Sequence, residues 1–165
     1  MLEDDKTEIT VGEFVEMLWK ECGGGGAAPV EGKAASLTLS ELLRYGHFRS
    51  WLEDSDERQP EKYLNRQTAA RIIHQFMVME LHVADIADIR GAEKLRDLYT
   101  CRVCANHVAQ VYLRGIMRGQ EINEVDGALG EGFTAAQNIL MFNHLGRVTK
   151  VEAQKIISTI REAMV

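Results

Sequence analysis

Apolar and polar positions repeat one ten-residue phrase three times along the chain: Ile9 to Leu18, Leu64 to Ile73 and Val148 to Ile157. In each copy an apolar residue (Ile9, Leu64, Val148) precedes a Thr or Asn (Thr10, Asn65, Thr149). A short polar side chain at that point can accept from the unpaired amides of a helix's first turn, which makes it an N-cap. Glu13 and Glu152 follow three positions later and complete the spacing of a capping box, whereas Thr68 leaves the second copy with half of one. Apolar residues then recur in register: Phe14/Met17/Leu18, Ala69/Ile72/Ile73 and Ala153/Ile156/Ile157. This is the period of a buried helical stripe, so three capped amphipathic helices with similar faces are predicted.

A second phrase aligns Gly46 to Ser50 (GHFRS) with Gly115 to Gly119 (GIMRG), each behind a helical run. Glycine there reads as a left-handed helix stop. The unit is then helix, glycine stop, loop and capped helix, repeated. Taken in order, the pattern predicts helices over about Val11 to Cys22, Thr38 to Tyr45, Arg66 to Leu81, Cys101 to Arg114 and Lys150 to Met164. Gly23 to Gly26 read as a linker, because no lysine and hydroxyl ending of a phosphate-binding loop follows them. The polar stretch Glu53 to Lys62 reads as a solvated loop, and Arg71 and His74 as outward-facing. Asp85 to Asp97 has helical spacing in short pieces, Gln120 to Gly132 reads as a loop, and Thr134 to Phe142 as a helix. No segment alternates with period two over a useful length, so the expected fold is all-α. One domain is expected over residues 1–165, with repeat units at about 9–26 (truncated), 34–81 and 95–165, and an inserted loop and helix at 120–147.

Composition narrows the functions. A 165-residue chain with 45% apolar residues and two prolines can bury one good core. A formal charge of -6, from 25 acidic against 19 basic residues, gives no global field for nucleic acid, so an anionic partner needs a local basic site. No run approaches the roughly 18 to 20 apolar residues of a membrane span. The opening MLEDDKTE lacks the cationic and apolar regions of a secretory signal, so the chain is expected to be cytoplasmic or a module of a longer secreted protein.

Three cysteines do not make a disulfide framework. Cys101, Cys104 and His107 lie three residues apart on a predicted helix and could hold zinc with a fourth ligand from His47, His74, His82 or His144. The signal is weak without a second cysteine pair, and small buried cysteines explain the spacing as well. No nucleophile elbow or triad spacing occurs, and the expectation is a protein that is not an enzyme and carries no cofactor.

The repeated phrases resemble those of S-layer homology domains. The capped helix start is similar to their TRAE signature, and the glycine phrase to their G-I-x-x-G element. Pro60, five residues before its cap, and Phe142, seven before its cap, occupy the Phe and Pro positions of the family's approach to TRAE. Asp97 and Leu98 resemble the family's Asp-Val opening. The likeness covers most of residues 9–164, with caps 55 residues apart (65 minus 10) and then 84 apart (149 minus 65).

It implies a pseudo-threefold helical bundle that anchors a surface protein to an anionic secondary cell-wall polymer. Carried over, the TRAE arginine falls on Arg66 and Lys150, with Val11 departing from the pattern. The glycine elements supply Gly46, Arg49, Gly115, Arg118 and Gly119 as ligand-binding candidates. A cation at the first helical position sits beside free amides and the positive end of the helix dipole, a place that favours anions. The family's Gly-Tyr and Asp-Gly loop is absent, and the first repeat lacks its opening helix. The alternative is therefore a degenerate scaffold for protein interaction or homo-oligomerisation.

Overall fold

The computed structural model describes residues 6–23, 37–124 and 137–164. It is largely helical: α1 Val11–Cys22, α2 Leu39–Phe48, α3 Asp54–Arg58, α4 Arg66–Met79, α5 Ala105–Leu113 and α6 Lys150–Met164. Two strands, β1 Gln120–Glu124 and β2 Gln137–Met141, and 3₁₀ turns at Arg90–Lys94 and Leu98–Thr100 complete the described elements.

The three segments in front of the capped helices meet. Ile9 N–H donates to the Val148 carbonyl (3.2 Å), Val148 N–H to the Leu64 carbonyl (2.9 Å), and Leu64 N–H to the Ile9 carbonyl (2.8 Å). The ring is closed. All three side chains are buried, so backbone groups taken out of water find their partners in each other. The first residue of each following helix repeats a second contact: Val11 N–H reaches Lys62 O, Arg66 N–H reaches Gly146 O, and Lys150 N–H reaches Thr7 O. Gly12 and Gln67, one residue on, reach Pro60 and His144 in the same way.

Caps set these helix starts. Thr10 and Glu13 form a full capping box, and so do Thr38 and Glu41 at α2. Asn65 accepts from Thr68 N–H at 2.7 Å. Thr149 accepts from Glu152 N–H, but the Glu152 carboxylate turns away to Arg66, so the third copy keeps only half of its expected box. The amphipathic faces then pack into one buried cluster that includes Phe14, Trp51, Phe76, Val108, Phe142 and Ile160. Trp51 stacks on Trp19 with centroids 6.4 Å apart and meets Phe76 edge-on at 5.0 Å. Among the described residues no helix is long and apolar enough to cross a membrane.

Several expectations need correction. Residues 120–124 and 137–141 are paired antiparallel strands, with Ile122 opposite Ile139, in place of a loop and a helix, so the fold is not wholly α. The strand residues are helix-permissive in isolation; pairing with a distant segment decides their state. Residues 125–136, within the expected insertion at 120–147, lie outside the described residues, as does most of the glycine linker. The stretch expected as a solvated loop contains α3, whose Asp56 is buried and accepts from Glu53 N–H and from Arg71. Asp85 to Asp97 holds a single 3₁₀ turn, at Arg90–Lys94.

Gly46 lies inside α2 and does not stop it. A Cβ there would come 2.5 Å from Leu52, and the left-handed residue is Ser50, at φ 69°. Gly115, at φ 72°, is the expected stop. Trp51 and Leu52 N–H both bond Gly46 O, just as Ile116 and Met117 N–H both bond Val111 O. Ser50, not Gly46, is therefore the structural counterpart of Gly115.

Leu64 closes the ring and is fully buried, so Leu64→Ala is expected to destabilise the protein by about 3 kcal/mol. Chemical denaturation checks this, with a lowered midpoint and an unchanged slope as the expected outcome.

Candidate functional site

A groove of about 860 Å3 runs between the turn that leaves α5, the first residue of α4 and the outer face of α6. It brings together four of the residues singled out in the sequence: Arg66, Gly115, Arg118 and Gly119. Gly119 allows β2 to pack against the turn, because a Cβ there would meet Leu140 and Leu95 at 2.8 Å.

Arg66 is buried, and its guanidinium is fully engaged. Nε donates to Phe142 O (2.7 Å), Nη1 to Glu152 Oε2 (2.6 Å), and Nη2 to Arg118 O. The plane lies 4.8 Å from the centroid of the Phe142 ring. Four segments therefore converge on one side chain: the start of α4, the turn after α5, the link after β2, and α6. A planar five-donor fork can make such a junction where the point charge of a lysine cannot. Phe142 is itself held, since Asp97, a buried carboxylate, accepts from Phe142 N–H (2.6 Å) and Asn143 N–H (2.7 Å).

Around Arg66 the groove wall carries Gln120, Glu152, Gln154, Lys155, Ser158 and Thr159. Glu152 Oε2 serves Arg66, while Oε1 is buried without a hydrogen-bond partner among the described residues. Arg118 and Lys155 are exposed, and neither side chain enters an ion pair among the described residues. At the matching sixth position of α4, Arg71 does not face outward; it makes a two-pronged pair with Asp56 of α3 at 2.8 and 2.9 Å. One helix face is therefore closed by α3, and the other is open. The α6 contributors were absent from the sequence reading, although Glu152, Lys155 and Thr159 follow three- and four-residue steps along one helix face, which was the signal for them.

The remaining candidates lie elsewhere. Lys150 is exposed at the first position of α6, but does not line the groove. Arg49 donates to buried Glu80 (3.2 Å) and to Met79 O (3.1 Å); Glu80 also accepts from Trp51 Nε1 (3.1 Å). The hydrogen bond and charge of Glu80 raise the Arg49 pKa, and burial and then Glu80 raise that of Tyr45. Gly46 is buried beneath the same cluster. The weak zinc candidates are corrected outright. Cys101 and Cys104 precede α5 and form a disulfide, so their sulfurs are unavailable to a metal, and among the described residues no metal-binding cluster of His, Cys, Asp and Glu occurs.

His107 belongs to another cluster. Its Nδ1 lies 2.7 Å from Nδ1 of His74, whose Nε2 meets Asp85 Oδ1 at 2.7 Å. His74 is buried rather than outward-facing. Ser50, His74 and Asp85 border a smaller cavity of about 340 Å3, but both nitrogens of His74 are engaged and neither is left to take a proton from the Ser50 hydroxyl. A single proton holds the two rings together. Burial first, and then the neighbouring His74, push the His107 pKa down to about 4, and the hydrogen bond from His74 lowers that of Asp85.

No protein-family model, curated protein or solved structure matches the chain.

A histidine whose folded pKa is depressed contributes stability that is complete above its unfolded value of 6.5 and is lost as pH falls through about 4. Between pH 7 and 4 the His107 cluster is expected to lose on the order of 2 kcal/mol, allowing for its partial exposure. Thermal melts of wild type and His107→Gln over that range check this: the gap between their melting temperatures should shrink steadily with acidification.

Proposed function

We propose that the protein is a non-catalytic, S-layer-homology-like module that binds an anionic cell-wall polysaccharide in the groove between the α5 turn and α6, at the bacterial surface. The observation that carries the reading is the pair of exposed cations, Arg118 and Lys155, without an ion pair among the described residues, on a sugar-sized groove whose wall mixes amide, hydroxyl and carboxylate groups with the apolar Ile116, Met117, Val151 and Ile156. Hydroxyls and amides suit a glycan, and two exposed cations suit its acidic substituents. On this reading the ring through Ile9, Leu64 and Val148 is the hub of a pseudo-threefold arrangement of three divergent repeats. The three-way repetition of hydrogen bonds at the helix starts supports it.

The assignment of roles differs from a direct transfer of the family's arginine. Arg66, with every nitrogen engaged by the protein, is a positioning residue that holds the groove walls together. Arg118 and Lys155 are the ligand-facing cations. Lys150 lies outside the groove and contributes nothing to it. A second reading, a scaffold for protein contacts, draws on exposed Phe48 and Leu145, which are 84% and 77% accessible.

The test is retention on purified cell walls of the source organism, before and after chemical removal of their secondary polymer. Wild type is expected to bind in a salt-sensitive way and to lose binding with the polymer. Arg118→Ala and Lys155→Ala should each weaken retention at least about tenfold, the loss of one charge-assisted hydrogen bond of about 1.5 kcal/mol. Lys150→Ala should bind as wild type. Retention unchanged in the Arg118→Ala/Lys155→Ala double variant would remove the groove from the account; no retention at all, with a dimer in sedimentation, would favour the scaffold.

A further inference from the structure

The disulfide between Cys101 and Cys104 is poorly placed to be a structural staple. It closes a loop between residues three apart, where little chain entropy remains to be removed. The turn is also held without it: Cys104 N–H donates to Cys101 O at 3.2 Å and Ala105 N–H to Arg102 O at 3.3 Å. What the pair does have is asymmetry. Cys101 is partly exposed, while Cys104 is buried at the N-cap position of α5.

Three surrounding features bear on its chemistry. First, Cys104 is the N-cap residue of α5 and no side chain caps that end, so negative charge released on its sulfur lies near the positive end of the helix dipole. That stabilises the reduced form and makes the disulfide easier to open. Second, Tyr99 and Val103 flank Cys101 as exposed large apolar side chains, 53% and 86% accessible, with exposed Arg102 between Cys101 and Val103. A partner protein can dock on such a collar. Third, the remaining thiol is inert: Cys22 is buried, and burial pushes its pKa up to about 11. Exchange is thereby confined to one pair.

We propose that Cys101 and Cys104 are an exchangeable redox couple that accepts electrons from a protein dithiol of the thioredoxin class. The thiolate of the reductant attacks Cys101 Sγ, the Cys101–Cys104 bond breaks, and Cys104 leaves as a thiolate at the start of α5. The second thiol of the reductant, deprotonated, attacks the mixed disulfide and releases Cys101. One disulfide is reduced to two thiols, and one dithiol is oxidised to a disulfide. This couple is separate from the groove and stands whether or not the groove binds glycan.

The native full chain is incubated with graded ratios of reduced and oxidised thioredoxin and then alkylated. Mass spectrometry counts labelled cysteines, and near-ultraviolet circular dichroism follows the Trp packing. The expected result is full labelling of Cys101 and Cys104, none of Cys22, and an unchanged spectrum. In Cys104→Ala, glutathione disulfide should form its mixed disulfide on Cys101. Val103→Asp should slow exchange with thioredoxin severalfold and leave exchange with dithiothreitol unchanged, which separates docking from accessibility. The proposal is overturned if the pair is labelled only once the spectrum collapses, or if thioredoxin reduces it no faster than dithiothreitol at equal thiol concentration.

Discussion

The hydrogen-bonded ring through Ile9, Leu64 and Val148 is the constraint on which the rest of the fold depends. Each of its three residues is followed at once by an N-cap, so closing the ring fixes where α1, α4 and α6 begin and which way they leave. A backbone group buried without a partner costs about as much as a lost hydrogen bond, and three irregular segments meeting in a core would leave several. Mutual donation removes that cost. The second tier of contacts, from the first residue of each helix to the carbonyl of a neighbouring segment, then locks the rotation of each helix about its axis.

Arg66 extends this logic from the ring to the groove. A buried guanidinium is tolerated only when its charge is compensated and its donors are met, and here a carboxylate, two carbonyls and an aromatic face do both. The result is a rigid wall made from four stretches of chain. Exposed Arg118 and Lys155 lie beside it, on the turn after α5 and the face of α6. Where α4 presents Arg71 at the equivalent position, α3 and Asp56 cover it. The difference between a closed and an open helix face thus comes down to what lies over it.

Much of this was legible in the sequence because it is local. Caps, apolar stripes and the Gly115 stop are decided within a few residues of one another, and α1, α4 and α6 start at the predicted caps. The failures share a cause. The β1–β2 pairing joins residues 120–124 to 137–141, and neither segment carries its partner's identity in its own pattern. The same holds for Arg66. Its position at a helix start suggested a solvent-facing cation, whereas Glu152, 86 residues away, and Phe142, 76 residues away, take it inward. Gly46 misled for a related reason: a glycine stop and a glycine that admits Leu52 look alike in sequence. The Cys101–Cys104 spacing was visible, but helical periodicity had carried the helix back over it, and the pair in fact precedes the helix.

The proposed occupancy of the groove by glycan is read out by hydrogen exchange on the native protein with and without purified secondary wall polysaccharide. Glycan in the groove is expected to slow exchange only at the turn at residues 115–120 and in the first turns of α6, leaving the ring segments at 8–10 and 63–65 unchanged. Protection centred instead on the exposed surface around Phe48, or no protection at saturating polysaccharide, would contradict it.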